Sequence, residues 1–260
     1  MADSCLSGIC LAFINAMHKG IYIALSGATL KQAQMDIISN NLANANTAGF
    51  KRDKISFQEY LVSQMNNRTE PPDGRTMSFF GTIGTDFEPG GVVHTGNDFD
   101  IAIEGEGFFC LENGNYTRRG DLRLDGEGYL VNQRGIKVLG TGGGPIQITD
   151  KGRVSINSEG EVSVKTVETE LSVIDTIKVV TFSDTSALSK TGEDAFAAGS
   201  QEAKAVTAAV AQGYLEKSNV DAVKEMVQMI TALREFETYQ KAIQSFDESI
   251  GRVLSEMPRI

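Results

Sequence analysis

Apolar positions in this chain follow a helical period at both ends and a strand period between them. Near the start, Ile21, Leu25, Ala28, Met35 and Leu42 share one helical stripe, which Gln32 and Ser39 fill imperfectly. This predicts an amphipathic helix over residues 21–42. Near the end, Ala222, Met229, Phe236, Ile243, Ile250 and Met257 recur at seven-residue spacing. Tyr239, Phe246 and Val253 supply the second seam position in the later half, and Met226 and Leu233 do so in the earlier half. Val220, Val223, Val227 and Ile230 add another apolar face, more than a helix with a single partner needs. No Pro or Gly interrupts the run before Gly251. Ser218 or Asn219 can cap it, and Asp221 favours its first turn. Residues 219–256 would then extend roughly 57 Å. A coiled-coil seam with a second contact surface accounts for the pattern; a helix buried inside a monomer is the alternative.

Between the helices, residues 79–211 read as β structure. Turn signals recur at Pro89-Gly90-Gly91, Asn113-Gly114-Asn115, Asp125-Gly126 and Ser158-Glu159-Gly160. Val154 and Ile156, then Val162 and Val164, alternate as strands do, and residues 173–182 form a stronger strand candidate. Residues 193–209, rich in Ala and polar side chains, read as a linker back to the second helix. Residues 63–76, polar and containing Pro71-Pro72, read as a loop or hinge. The expected fold is α+β, with long N- and C-terminal helices forming a coiled-coil-like unit and an all-β domain inserted between them. The expected division is a discontinuous helical assembly domain (17–62 and 212–260), an inserted β domain with linkers (63–211) and a leader (1–16).

The first helix closes on an asparagine-dense turn, Asn40-Asn41-Leu42-Ala43-Asn44-Ala45-Asn46-Thr47-Ala48-Gly49-Phe50-Lys51. Asn tolerates the left-handed conformation and bonds its own backbone, so it ends helices and starts turns. Gly49 can take positive φ at little steric cost, and Phe50 can anchor the returning chain on the apolar face it has just left.

Residues 38–52 resemble the N-terminal signature of the flagellar basal-body rod and hook proteins. The resemblance continues through Thr95-Gly96-Asn97-Asp98-Phe99-Asp100 to Phe109, through Tyr116-Thr117-Arg118-Arg119-Gly120, and through residues 126–135. It ends with Gly213-Tyr214-Leu215-Glu216-Lys217-Ser218-Asn219-Val220. The blocks stand in family order and cover most of the chain from Met17 onward. The chain departs from the usual family pattern at Asp98-Phe99, at Arg119 and at residues 234–237. The resemblance implies a structural rod subunit that polymerises through its terminal helices and transmits torque across the cell envelope. Its implied partners are other rod and hook proteins, in homo- and hetero-oligomers, and the flagellar export apparatus. The implied location is the basal-body rod, reached without a cleaved signal peptide. Residues 57–61 and 179–188 look like the proximal-rod type, and distal-rod and hook types are alternatives. On this reading the assembly residues are Asn40, Asn41, Leu42, Asn44, Asn46, Thr47, Gly49 and Phe50 in the turn. In the second helix they are Met229, Leu233, Phe236, Ile243, Phe246 and Ile250.

Composition narrows the other classes. A chain of 260 residues is long enough for two domains, and its composition is globular. The net charge of −10 argues against nucleic acid, which needs clustered Lys and Arg. No run approaches the ~20 apolar residues that span a bilayer. Residues 1–16 lack the basic start of a secretory signal, and they fit the family pattern no better; Met17 is the expected native initiator.

No metal or cofactor is expected. The three cysteines, Cys5, Cys10 and Cys110, show no ligand spacing. Gly140-Thr141-Gly142-Gly143-Gly144-Pro145 lacks the Gly-Lys-Ser/Thr ending of a phosphate loop and reads as a turn. Lys190-Thr191-Gly192 has no Ser-x-x-Lys companion. Of the two histidines, His18 and His94, the latter could serve a Ser-His-Asp site, but no Gly-x-Ser-x-Gly elbow supports it. Catalytic residues are therefore not expected, and a periplasmic hydrolase with helical arms is the rival reading from another class.

Overall fold

The computed structural model describes residues 3–61, 76–149, 152–165, 172–192, 194–199 and 201–256. Side chains are described from residue 20 onward, apart from 56–61, 76–82 and 253–256. Most of the expected hinge at 63–76, and Met257 of the seam, lie outside the described residues, as does the Val253 side chain. Among the described residues no helix is long and apolar enough to cross a membrane. The chain forms two compact units, one of Met1–Asn40, Asp53–Gly84 and Val223–Ile260, the other of Asn41–Arg52 and Thr85–Ala222.

The first unit carries the helices. Helix α1 runs over Asp3–Ala43 and α2 over Ala222–Glu256. The helical path of α1 therefore includes residues 3–16 without a break. Strands Asp53–Leu61 and Thr76–Thr85 pair with each other, so the stretch expected to belong to the helical domain contains one strand, whose partner comes from the stretch expected to be β. Neither Ser218 nor Asn219 caps α2 directly, because the helix begins at Ala222 and the Asn219 amide is engaged elsewhere.

Among its described residues the second unit has only β elements apart from the end of α1 and a short 3-10 turn. Its largest sheet is antiparallel throughout. The strand order is Ser189–Lys190, Ala195–Ala197, Tyr116–Thr117, Phe108–Cys110, Val179–Thr181 and Lys204–Ala205. Successive side chains of a strand point to opposite faces. Phe109 and Val179 therefore enter one apolar cluster with Ile101, Leu130, Val138 and Val162, whereas Phe108 and Val180 enter another with Phe182 and Phe196. A three-stranded sheet places Glu161–Lys165 between Arg153–Ile156 and Ser172–Thr176. There Val154, Ile156, Val162 and Val164 are all buried, as their alternation required.

Two expectations change. Residues 193–209 are not a linker: Ala195–Ala197 and Lys204–Ala205 are strands of the large sheet, and Phe196, 1 % exposed, anchors its apolar cluster. The strand expected across 173–182 is two strands in different sheets. The chain leaves the first at Ile177, whose N–H donates to the Gly160 carbonyl.

One turn recurs three times. Asp125, Asn132 and Asn157 each accept, through Oδ1, the backbone N–H groups two and four residues on. In each the residue three on is a glycine with φ near +80°, namely Gly128, Gly135 and Gly160. The side chain thus satisfies amides that a tight hairpin leaves orphaned, and glycine takes the left-handed position. The Gly140–Pro145 stretch is also a tight turn, closed by the Gly140 N–H on the Gly144 carbonyl.

Candidate functional site

Two groups of residues could carry function, and each lies within one unit. In the helical unit α1 and α2 meet in antiparallel order. Gly27 faces the Tyr239 ring so closely that a Cβ there would lie 2.6 Å from ring carbons, and a Cβ on Gly20 would lie 3.1 Å from Phe246. Lys31 Nζ pairs with Glu235 Oε2 at 2.6 Å. Along α1 the contacts advance from 20 to 27 to 31, while along α2 they retreat from 246 to 239 to 235. Small residues on α1 let aromatic side chains of α2 lie across it, and Ala24, Ala28 and Ala232 are buried.

The other face of α2 is bare. Val223, Met226, Val227, Ile230 and Leu233 are all exposed, from 46 % for Leu233 to 72 % for Val223. On α1, Tyr22, Ile23 and Leu25 are exposed as well. Scattered apolar side chains on a surface are ordinary, but large ones recurring along one helix mark an interaction face.

The second group is a buried ionic junction in the β unit. After α1 the chain descends through a series of tight turns, with Asn44 N–H on the Asn41 carbonyl and Thr47 N–H on the Asn44 carbonyl. Gly49 adopts φ +66°, and a Cβ there would meet the backbone of Arg118 and Arg119 at 2.6 Å. Its N–H donates to the Glu216 carbonyl at 2.8 Å. Phe50 is 1 % exposed. It is buried in the β unit, with Lys190 Nζ 4.0 Å above its ring, rather than on the helix face it has just left.

Lys51, Arg118 and Glu216 then meet inside the unit. Lys51 Nζ lies 2.6 Å from Glu216 Oε1, and Arg118 Nε donates to Glu216 Oε2 at 2.5 Å. The three side chains are no more than 5 % exposed. Lys51 also donates to the Glu88 carbonyl, the Gly90 N–H donates to Glu216, and Arg118 donates to the carbonyls of Ile103, Gly105 and Gly107. Asn219 closes the arrangement by accepting from the Arg52 N–H and donating to the Asp86 and Glu88 carbonyls.

Two cations thus share one carboxylate. Burial pushes the Glu216 carboxyl up, but the Arg118 charge and the hydrogen bonds from Lys51, Arg118 and Gly90 hold it below its usual range. Burial lowers the Lys51 ammonium, outweighing the support it receives from Glu216. Arg119 and Arg134 flank a second buried carboxylate, Asp194, at 3.6 and 3.3 Å.

Each residue expected to act in assembly has a definite place. Asn41, Asn44, Gly49 and Phe50 are buried, Leu42 and Thr47 are half-buried, and Asn40 and Asn46 are exposed. Thr47 Oγ1 donates to Asn44 Oδ1 at 3.0 Å. Met229, Phe236, Ile243, Phe246 and Ile250 are half-buried, whereas Leu233 stands on the bare face. His94 ends the strand Val92–His94 and stacks edge-on with Tyr214, ring centroids 4.8 Å apart.

Sequence reasoning missed Arg118 and Glu216 as site residues, and gave Lys51 no role of its own. A signal was present. Each of three widely separated family-like blocks carries a pair of adjacent charged residues: Lys51-Arg52, Arg118-Arg119 and Glu216-Lys217.

Three family models match the chain: flagella basal body rod protein over residues 21–51, flagellar hook protein FlgE/F/G D1 domain over 102–164, and flagellar basal body rod FlgEFG protein C-terminal over 211–256. The chain is 34 % identical to the flagellar basal-body rod protein FlgG of Bacillus subtilis, over 92 % of this chain and 99 % of that protein. It is 33 % identical to FlgF of Caulobacter vibrioides, over 94 % of this chain and 100 % of that protein. To FlgF of Escherichia coli it is 29 % identical, over 91 % and 97 % respectively.

Proposed function

Because the chain belongs to the flagellar basal-body rod protein family, we propose that it polymerises through the bare faces of its two helices and transmits torque along the rod. The observation that carries this reading is the stripe Val223, Met226, Val227, Ile230 and Leu233 on α2. Isolated helices have too few partners to bury such a stripe, and neighbouring subunits offset the cost of ordering them. The inner face of α2 is taken by α1, whose contacts at Gly20 and Gly27 fall seven residues apart, as do Phe246 and Tyr239. That spacing supports a coiled-coil-like pair within the subunit. The outer faces remain for other rod and hook subunits, in homo- and hetero-oligomers.

On this reading the protein acts as a structural subunit and not as an enzyme. It reaches the envelope-spanning rod through the flagellar export apparatus without a cleaved signal. Identities of 34 % to a FlgG and 33 % to a FlgF do not separate those two types. Residues 57–61 and 179–188 favour the proximal-rod FlgF type.

Ile230 decides the matter, because it is 53 % exposed and its replacement leaves the subunit's interior untouched. Ile230→Asp places a carboxylate in a contact that must be dry, and an unpaired buried charge opens such a contact. The expected result is a soluble, exported protein with unchanged circular dichroism that does not enter the rod, so that cells of a complemented deletion strain do not swim. Normal swimming would remove α2's outer face from the assembly.

A further inference from the structure

The ionic junction joins residues that are far apart in the chain. Lys51 and Glu216 are separated by 165 positions, and Arg118 and Glu216 by 98. The carboxylate arrives last, on the strand Tyr214–Glu216, which pairs with Val92–His94. Without it Lys51 and Arg118 would be left with their hydrogen bonds to carbonyls and, for Lys51, the weaker pull of Asp86. A buried pair contributes little net stability, yet removing one partner is strongly destabilising, because an uncompensated charge remains inside. That asymmetry is the property of a latch.

We infer that Lys51, Arg118 and Glu216 form a completeness latch, which seats the turn Asn41–Arg52 on the β unit only once the C-terminal strand has delivered its carboxylate. That strand and the residues just after it supply the backbone that holds the turn, since the Gly49 N–H donates to the Glu216 carbonyl and the Asn219 N–H to the Phe50 carbonyl. Charge neutralisation and backbone docking therefore occur together. The chain first enters the β unit through Asn41–Arg52 and, after returning at Thr85, leaves it finally at Ala222. The latch thus ties the incoming segment to the outgoing one, and an unfinished chain leaves the turn undocked. Arg118 acts as a positioning residue here. Its guanidinium fixes the carboxylate on one side and collects the carbonyls of Ile103, Gly105 and Gly107 on the other. None of this depends on whether the helices polymerise.

Charge balance separates the latch from ordinary packing. The native triad carries one net positive charge. Glu216→Gln preserves shape and leaves two, whereas Lys51→Met with Glu216→Gln returns to one. The measurement is amide hydrogen exchange on the full-length monomer, at Gly49 and Arg52 for the turn and at Val162 for the apolar interior.

In Glu216→Gln the turn amides should exchange about a hundredfold faster or more, with Val162 unchanged. The double variant should recover to within about tenfold of the native rate. Unchanged protection in Glu216→Gln would overturn the latch, as would a double variant no better than the single one. Should Glu216→Gln loosen the interior as well, the double variant decides in the same way: recovery supports charge balance, and none overturns it.

Discussion

Gly27 offers the sharpest test of the helix pair, because two effects of one methyl group oppose each other there. Replacing a glycine inside a helix by alanine gains about 1 kcal/mol from reduced backbone entropy and better propensity. A Cβ on Gly27, however, would lie 2.6 Å from the Cε1 and Cζ atoms of Tyr239 and 3.0 Å from its hydroxyl. Tyr239 must then swing away or the helices must part, and forcing extra volume into a close contact costs about 1–3 kcal/mol. Gly27→Ala should therefore be neutral or cost up to about 2 kcal/mol in the native background. With Tyr239→Ala already in place the collision is gone, and the same methyl should stabilise by about 1 kcal/mol. The two sites should couple by about 1–3 kcal/mol in a double-mutant cycle. Amide exchange over residues 235–246 of the full-length chain reads the opening free energy in all four proteins. If Gly27→Ala stabilises equally in both backgrounds, Tyr239 does not lie against Gly27 and the antiparallel register is wrong.

Two further outcomes follow from the β unit. The Glu216 carboxyl is held below its ordinary value in the folded chain, so its stabilising contribution is full above about pH 4.5 and is lost as pH falls through the lower folded value. Protection of the Gly49 amide should therefore persist at pH 4.5 and fall only below it, and loss between pH 6 and pH 5, roughly a unit above the carboxyl range, would contradict the sign. Cys110 is 4 % exposed and burial pushes its thiol up to about 11, so it should resist alkylation in the folded protein. In a Cys5→Ser/Cys10→Ser background, mass spectrometry should find Cys110 unmodified by iodoacetamide at pH 8 until denaturant is added; rapid native labelling would show that its cluster is open.

Features that rest on local periodicity were legible in one dimension. The seven-residue recurrence from Ala222 fixed a long helix, and the alternation of Val154, Ile156, Val162 and Val164 fixed two buried strands, because side-chain direction repeats with the backbone. Gly49 could be assigned its positive φ from the turn around it, and the family-like blocks were readable in order along the chain.

What the sequence left open depends on residues distant in the chain. Whether Leu233 or Ala232 faces inward turns on what lies against α2, and the packing of the helical unit settles it by burying Ala232 and leaving Leu233 46 % exposed. Residues 193–209 lack a strong strand pattern, and they become strands only because Thr117 and Val180 offer paired edges. The asparagine-dense turn looks like a helix ending, yet it groups with the β unit because Gly49, Phe50 and Lys51 find their partners at Glu216, Asn219 and Lys190. A charged residue shows neither its burial nor its partner in one dimension. Lys51, Arg118 and Glu216 became one site only when the fold removed the water between them and left each the other's counter-ion.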